Sequence, residues 1–237
     1  IRRQRQMCIR DSNYIPWKGY FDNIQQADVF VVFDDMQFTR RDWRNRNYIK
    51  TPQGLKWLTI PVEVKGKYYQ KINETIISES GWYQSHLSLI KQNYSKSPFF
   101  KELFPWIETL YANAQFEYLT DVNVFFLKEI CGFLGIKTKF MDSREFELKE
   151  DKTERLVTIC KELCATEYLT GPAAKSYMNE KLFEEEQIKI NYFDYEGYPE
   201  YFQLHTPFEH QVCIWDLILN TGSESRKYVS KNEAINN

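Results

Sequence analysis

Ala27-Asp-Val-Phe-Val-Val-Phe-Asp-Asp35 decides how this chain folds. The run from Asp28 to Phe33 has the length of a strand and lacks polar alternation, the signature of a strand covered on both faces. It closes in two carboxylates, Asp34 and Asp35. A basic, amide-rich loop comes next, with Arg40, Arg41, Arg44, Asn45, Arg46 and Asn47. In an open α/β sheet, ligands bind in the crevice beyond the carboxyl ends of the strands, so a site is expected at this strand end. Upstream, Tyr14-Ile-Pro-Trp-Lys-Gly-Tyr-Phe21 reads as a sharp turn leading into a helix from Trp17 to Ala27, with Tyr20, Phe21 and Ile24 on one side.

Downstream, Tyr48-Ile-Lys and Leu55 to Val62 flank the turn Thr51-Pro-Gln-Gly54, which predicts a hairpin. Val62 to Lys71 reads as a polar loop. From Trp82 to Leu134 the spacing becomes helical. His86, Leu89, Ile90 and Tyr94 recur at three and four; a second helix opens near Pro98; a third is capped by Thr120 or Asp121 and ended by Gly135. The last third alternates: strand Lys137–Met141, helix Thr153–Cys164, strand Glu167–Thr170, helix Ala173–Phe183, strand Ile188–Phe193, helix His210–Leu219. Such alternation argues for βαβ units. The expected fold is one α/β domain, residues 13–237, with a mainly parallel, Rossmann-like sheet and a helical insertion at about 80–135.

Residues 1–12 lack the rhythm of the rest of the chain. They read as translated adapter sequence of the kind that contaminates the ends of metagenomic reading frames, the alternative being a natural basic arm. They are set aside from fold reasoning, and the first strand is expected to be missing. At 237 residues and 43% hydrophobic content the remainder can bury a full core. A net charge of -2 gives no electrostatic case for a nucleic-acid partner. No apolar run has membrane-spanning length. Five scattered cysteines suit a reducing cytoplasm, and no His/Cys spacing marks a zinc site, so no structural metal is expected and no metal ligand is nominated.

With these segments in place, the chain resembles the WbqC-like protein family. The resemblance rests on Asn13 to Phe21, Ala27 to Asp35, Asn45-Arg-Asn47, Trp57-Leu-Thr-Ile-Pro61, Trp82 with His86, Leu169-Thr-Gly-Pro-Ala173 with Tyr177, and Asp216-Leu-Ile-Leu-Asn220. It implies a cytoplasmic bacterial protein of surface-polysaccharide (O-antigen) precursor modification, a transferase attaching an acyl or aminoacyl group to a nucleotide-linked amino sugar. A Gln-Pro pair is expected before Asn13, and Asp11-Ser12 stands there instead.

The residues nominate a site with parts of unequal specificity. Asp34 is a candidate general base, and His86, one helical turn after Trp82, a candidate acid–base group; a strand-end carboxylate and a packed core histidine are the plain alternatives. Asp35 and Trp17 are placed in support. Arg46 with Asn45 and Asn47 forms a candidate phosphate clamp. Thr170-Gly171, ahead of a helix that Pro172 can open, is a candidate anion site, supplemented by Lys175 and Tyr177. Asp216 and Asn220 share a helical face as a buried pair that would brace the Arg46 loop. Pro16-Trp-Lys-Gly-Tyr20 sits where nucleotidylyltransferases carry His-x-Gly-His, with Lys18 as its only cation. The absent histidines reduce that likeness to shape. The expected ligand is a phosphate-bearing small molecule. No cofactor is indicated, and partner enzymes of a glycan pathway are the expected protein contacts. A non-catalytic binding protein and an adenylating enzyme stand as the other readings.

Overall fold

The computed structural model describes residues 5–231. Five strands form one parallel sheet: β1 (Gln6–Arg10), β2 (Val29–Val32), β5 (Lys139–Asp142), β6 (Glu167–Thr170) and β7 (Lys189–Tyr192), in the order β5-β2-β1-β6-β7. A separate antiparallel hairpin joins β3 (Arg46–Thr51) to β4 (Gly54–Thr59). The helices are α1 (Lys18–Gln26), α2 (Trp82–Tyr94), α3 (Phe100–Asn113), α4 (Leu119–Phe133), α5 (Lys152–Glu162), α6 (Glu180–Glu185), α7 (Ile214–Thr221) and α8 (Ser225–Val229).

Alternation along the strands explains the layers. Side chains of successive strand residues point to opposite faces. Cys8, Phe30 and Val32 therefore join the core built by α1, α2–α4 and α7, whereas Met7, Ile9, Val29 and Val31 join the one built by α5 and α6. Covered on both faces, β2 can be all apolar, as its Val-Phe-Val-Val sequence is. The hairpin and α2–α4 all lie in the β2–β5 connection, so the inserted helical segment occupies a single crossover of a Rossmann-like sheet.

Three expectations are corrected. The segment set aside contains β1: Gln6–Arg10 lies at the centre of the sheet, with Met7, Cys8 and Ile9 buried. Three consecutive apolar residues suit a strand slot covered on both sides, so these residues enter the fold whatever their origin; residues 1–4 of that segment lie outside the described residues. The single helix expected over Ala173–Phe183 is two pieces, a 3-10 turn over Pro172–Ser176 and the short α6. The last long helix starts at Ile214 rather than His210.

Local chemistry sets the element ends. Asp151 caps α5 by accepting from the amides of Thr153 (2.8 Å) and Glu154 (2.9 Å). Every residue of α7 is buried, which fits its apolar sequence and its packing against α3 and β3. Gly222 ends it at φ +58°, where a Cβ would stand 2.4 Å from the Phe99 ring.

Candidate functional site

The chain builds the sheet outward from β1 through β2 to β5, then returns to lay β6 and β7 on the other side of β1. The carboxyl ends of β1 and β6 thus flank the point of reversal, where an open α/β sheet offers its crevice. Two concavities adjoin there, with Arg10 in the wall of both.

The first, of 560 Å³, is cationic. Arg10, Arg44, Lys152 and Arg155 line it against two carboxylates, Asp11 and Asp42, and Thr170, Gly171 and Tyr177 complete the wall on the β6 side. Lys152 and Arg155 are three apart in the first turn of α5 and so share a face. Arg155 Nη2 donates to the Glu150 carbonyl at 2.5 Å. Arg44 is ion-paired with Asp11, lies 3.4 Å from Asp42, and donates to Asn13 Oδ1 at 3.3 Å. The excess of guanidinium and ammonium groups suits phosphate oxygens. The full helix expected to start after Gly171 is a five-residue 3-10 turn, which supplies neither the amide row nor the dipole of a full helix. Lys175 lies outside this wall, with its ammonium 4.7 Å from the Tyr192 ring centre.

The second concavity, of 540 Å³, is aromatic. Trp17, Tyr20, Trp43, Tyr195 and Tyr198 line it, with Asn13, Asn47, Glu196, His210 and Gln211 as its polar groups. The Trp17 ring centre lies 5.7 Å from that of Tyr195 and 5.4 Å from that of Tyr198. Trp43 is held from behind: its carbonyl accepts from the Tyr14 amide at 3.1 Å, and its ring lies 5.8 Å from Tyr48 and 5.5 Å from Trp57. Tyr48 and Trp57 are cross-strand partners stacked at 3.6 Å, and the Arg46 guanidinium covers Trp57 at 3.8 Å.

Residues 11–228 match the WbqC-like protein family. The chain belongs to that family. It is 46% identical over 225 residues to the Mycobacterium tuberculosis (strain ATCC 25618 / H37Rv) protein named "Uncharacterized protein Rv1507c", covering 95% of this chain and 97% of that one. No solved structure matches.

Many of the polar WbqC-like motif residues build walls rather than face the cleft. Arg46 lies in the aromatic stack, donates to the Arg41 carbonyl and lines neither lobe. Asn47 lines the aromatic lobe, but its carboxamide is engaged: Nδ2 donates to the carbonyls of Tyr14 and Ile15 at 3.1 Å, and Oδ1 accepts from the Tyr48 amide at 2.8 Å. Asn45 donates to the Ile60 carbonyl at 2.8 Å, which fastens the end of the hairpin.

The two expected proton-handling groups are sealed in. Asp34 is 3% exposed and accepts from the Ser12 amide (2.7 Å), the Ser12 hydroxyl (2.6 Å) and the Thr120 hydroxyl. Burial pushes its carboxyl up to about 6, against those hydrogen bonds. His86 is 2% exposed, with Nδ1 2.9 Å from Tyr14 Oη and Nε2 3.0 Å from the Thr59 carbonyl. A carbonyl can only accept, so Nε2 carries the proton and Nδ1 accepts from Tyr14. Burial pulls the ring down to about 4. Neither residue lines the two lobes.

Asp35 is tied to Ser143 Oγ (2.6 Å) and to Lys71 (3.3 Å). Lys18 points away from the expected phosphate: its ammonium donates to the Pro199 carbonyl at 2.5 Å, inside a cage of Tyr198, Tyr201 and Phe208. Asp216 accepts from Tyr94 (2.9 Å), Tyr201 (2.7 Å) and Gln203 (2.9 Å), and Asn220 donates to its backbone carbonyl at 2.7 Å. Asp216 therefore braces α7 against α2 and the segment around Tyr201, and the Asn220 bond stays within α7; neither residue bonds the Arg46 loop.

Sequence reasoning passed over Lys152, Arg155, Tyr195 and His210. For Lys152 and Arg155 a signal existed, the three-residue spacing at the start of a crossover helix. Tyr195 and His210 carry no local signal. Among the described residues no group of three or more His, Cys, Asp or Glu is placed to hold a metal ion, and no helix is long and apolar enough to cross a membrane.

Proposed function

We propose that this WbqC-like chain binds a phosphate-bearing small molecule across the two lobes and acts in bacterial surface-polysaccharide (O-antigen) precursor modification. In this reading it is a cytoplasmic transferase that attaches an acyl or aminoacyl group to a nucleotide-linked amino sugar. The observation that carries the ligand class is the cationic lobe at the strand-order reversal, four cations against two carboxylates, beside an aromatic one. Guanidinium groups match phosphate oxygens well, and Arg155 is held in the wall of this lobe by the carbonyls of Glu150 and Asp151.

Arg155→Ala should abolish the rise in melting temperature that UDP-N-acetylglucosamine causes in the unaltered protein, and leave the apo melting temperature in place. An undiminished rise in the variant refutes the placement of the phosphates.

A specific observation favours a second reading, a non-catalytic binding protein of the same pathway: Asp34 and His86 are both enclosed and fully bonded. It predicts tight nucleotide-sugar binding with no turnover of any acyl donor. The adenylating reading predicts amino-acid-dependent pyrophosphate exchange with ATP. It loses its phosphate contact if Lys18 stays in its aromatic cage.

A further inference from the structure

We propose that the aromatic lobe holds the sugar ring of the ligand and the cationic lobe its phosphates, with Trp43 as the surface on which the sugar packs. This assignment rests on the phosphate-bearing ligand argued above and adds which end of it goes where.

The shape and chemistry of the aromatic lobe carry it. Trp17 meets Tyr195 at 50° and Tyr198 at 73°, so these rings form no parallel slot for a flat base. A pyranose needs a single ring face, because the C–H bonds on one side of the sugar meet the negative face of an indole. Trp43 is 36% exposed and lines the lobe, with its orientation fixed by Tyr48 and Trp57 behind it. Sugar hydroxyls both donate and accept, and Asn13, Glu196, His210 and Gln211 offer both kinds of partner around the same space. His210 Nδ1 is buried and has no hydrogen-bond partner. The phosphate side is set by position, since Arg44 lines the cationic lobe while bonding Asn13 of the aromatic one. A diphosphate lying there places its sugar beside Trp43. Arg46 is then a positioning residue that acts through Trp57.

The test is calorimetric titration of UDP and UDP-N-acetylglucosamine into the unaltered protein, Trp43→Ala, Trp43→Phe and Arg155→Ala. The unaltered protein should bind the sugar nucleotide about tenfold tighter than UDP, the scale of one aromatic contact with its buried area. Trp43→Ala should erase that preference while binding UDP as before; Trp43→Phe should keep most of it; Arg155→Ala should weaken both ligands together. Equal weakening of both by Trp43→Ala would put the base in the aromatic lobe and overturn the assignment, leaving the ligand class standing. A preference untouched in Trp43→Ala also overturns it. Binding of neither probe by the unaltered protein overturns the ligand class and this assignment with it.

Discussion

His86→Gln tests the separation of wall from cleft. In the folded chain the ring is pulled from its ordinary 6.5 to about 4 by burial. The unfolded chain therefore takes up a proton between these values and the folded chain does not. Stability contributed by the neutral ring is present above about 6.5 and is lost as pH falls toward 4. At about 1.4 kcal/mol per pH unit the loss reaches about 3 kcal/mol by pH 4. Asp34 runs the other way across nearly the same window, because its carboxyl is pushed up to about 6 and the folded state gains stability as it protonates. The unaltered protein should therefore show a shallow pH profile. Glutamine keeps a donor for the Thr59 carbonyl and cannot titrate. It should cost about 1–3 kcal/mol at pH 7 through poorer packing and the Tyr14 hydroxyl. That deficit should shrink by about 3 kcal/mol, to nothing or to a net gain, by pH 4. Urea denaturation followed by tryptophan fluorescence at pH 7, 6, 5 and 4 measures it, with the slope checked for constancy. A deficit that stays the same from pH 7 to pH 4 would show that the ring titrates normally. His86 would then return as a candidate proton carrier.

Three further outcomes are expected from the same geometry. Asp216→Ala leaves the Tyr94, Tyr201 and Gln203 donors without their acceptor and should cost about 3 kcal/mol or more in chemical denaturation; a loss below about 1 kcal/mol would mean that water or rearrangement replaces the carboxylate. Gly19→Ala puts a methyl 2.4–2.8 Å from Trp17 ring atoms; the helix gains up to about 1 kcal/mol, so the melting temperature should hold while near-ultraviolet dichroism and sugar-nucleotide affinity change. Unchanged dichroism would count against the Trp17 wall. Lys18→Met should abolish a rise in stability between about pH 8 and 10.5, because burial pulls the Lys18 ammonium down to about 8 and the folded chain releases its proton first; identical pH responses in the two proteins would contradict the caged placement.

The elements with strong periodicity were legible without coordinates. The all-apolar Val29–Val32, the hairpin about Thr51-Pro-Gln-Gly54 and the three helices between Trp82 and Phe133 appear where their patterns put them. The central strand was not, because Met7-Cys-Ile9 sits among charges that look foreign to the chain. Side-chain direction was the larger loss. Composition marks Asp34, His86, Arg46 and Lys18 as chemically capable, but pleat and packing turn all four away from the lobes. Lys152 and Arg155 share a helix face by their spacing, but nothing local tells that this face, or Tyr195, meets the ends of β1 and β6, which lie far away in the chain.

The polar motif residues gain a common explanation from the unusual β2–β5 connection. A crossover that holds a hairpin and three helices brings many backbone amides and carbonyls into the interior, where each needs a partner. Asn47 serves Tyr14 and Ile15, Asn45 serves Ile60, Asn123 serves Arg44 at 2.9 Å, His86 serves Thr59, and Tyr94 serves the Lys50 amide at 2.9 Å. These bonds pin the backbone on either side of Trp43 and Arg44, the residues that do face the lobes. A wall fixed in this way costs little ordering when a ligand arrives, which raises affinity without adding a contact. Much of the family's polar signature is thus architectural. Among the polar groups left facing the lobes are Asn13, Thr170 and Tyr177 of those motifs, together with the segment from Tyr195 to Gln211 and the first turn of α5.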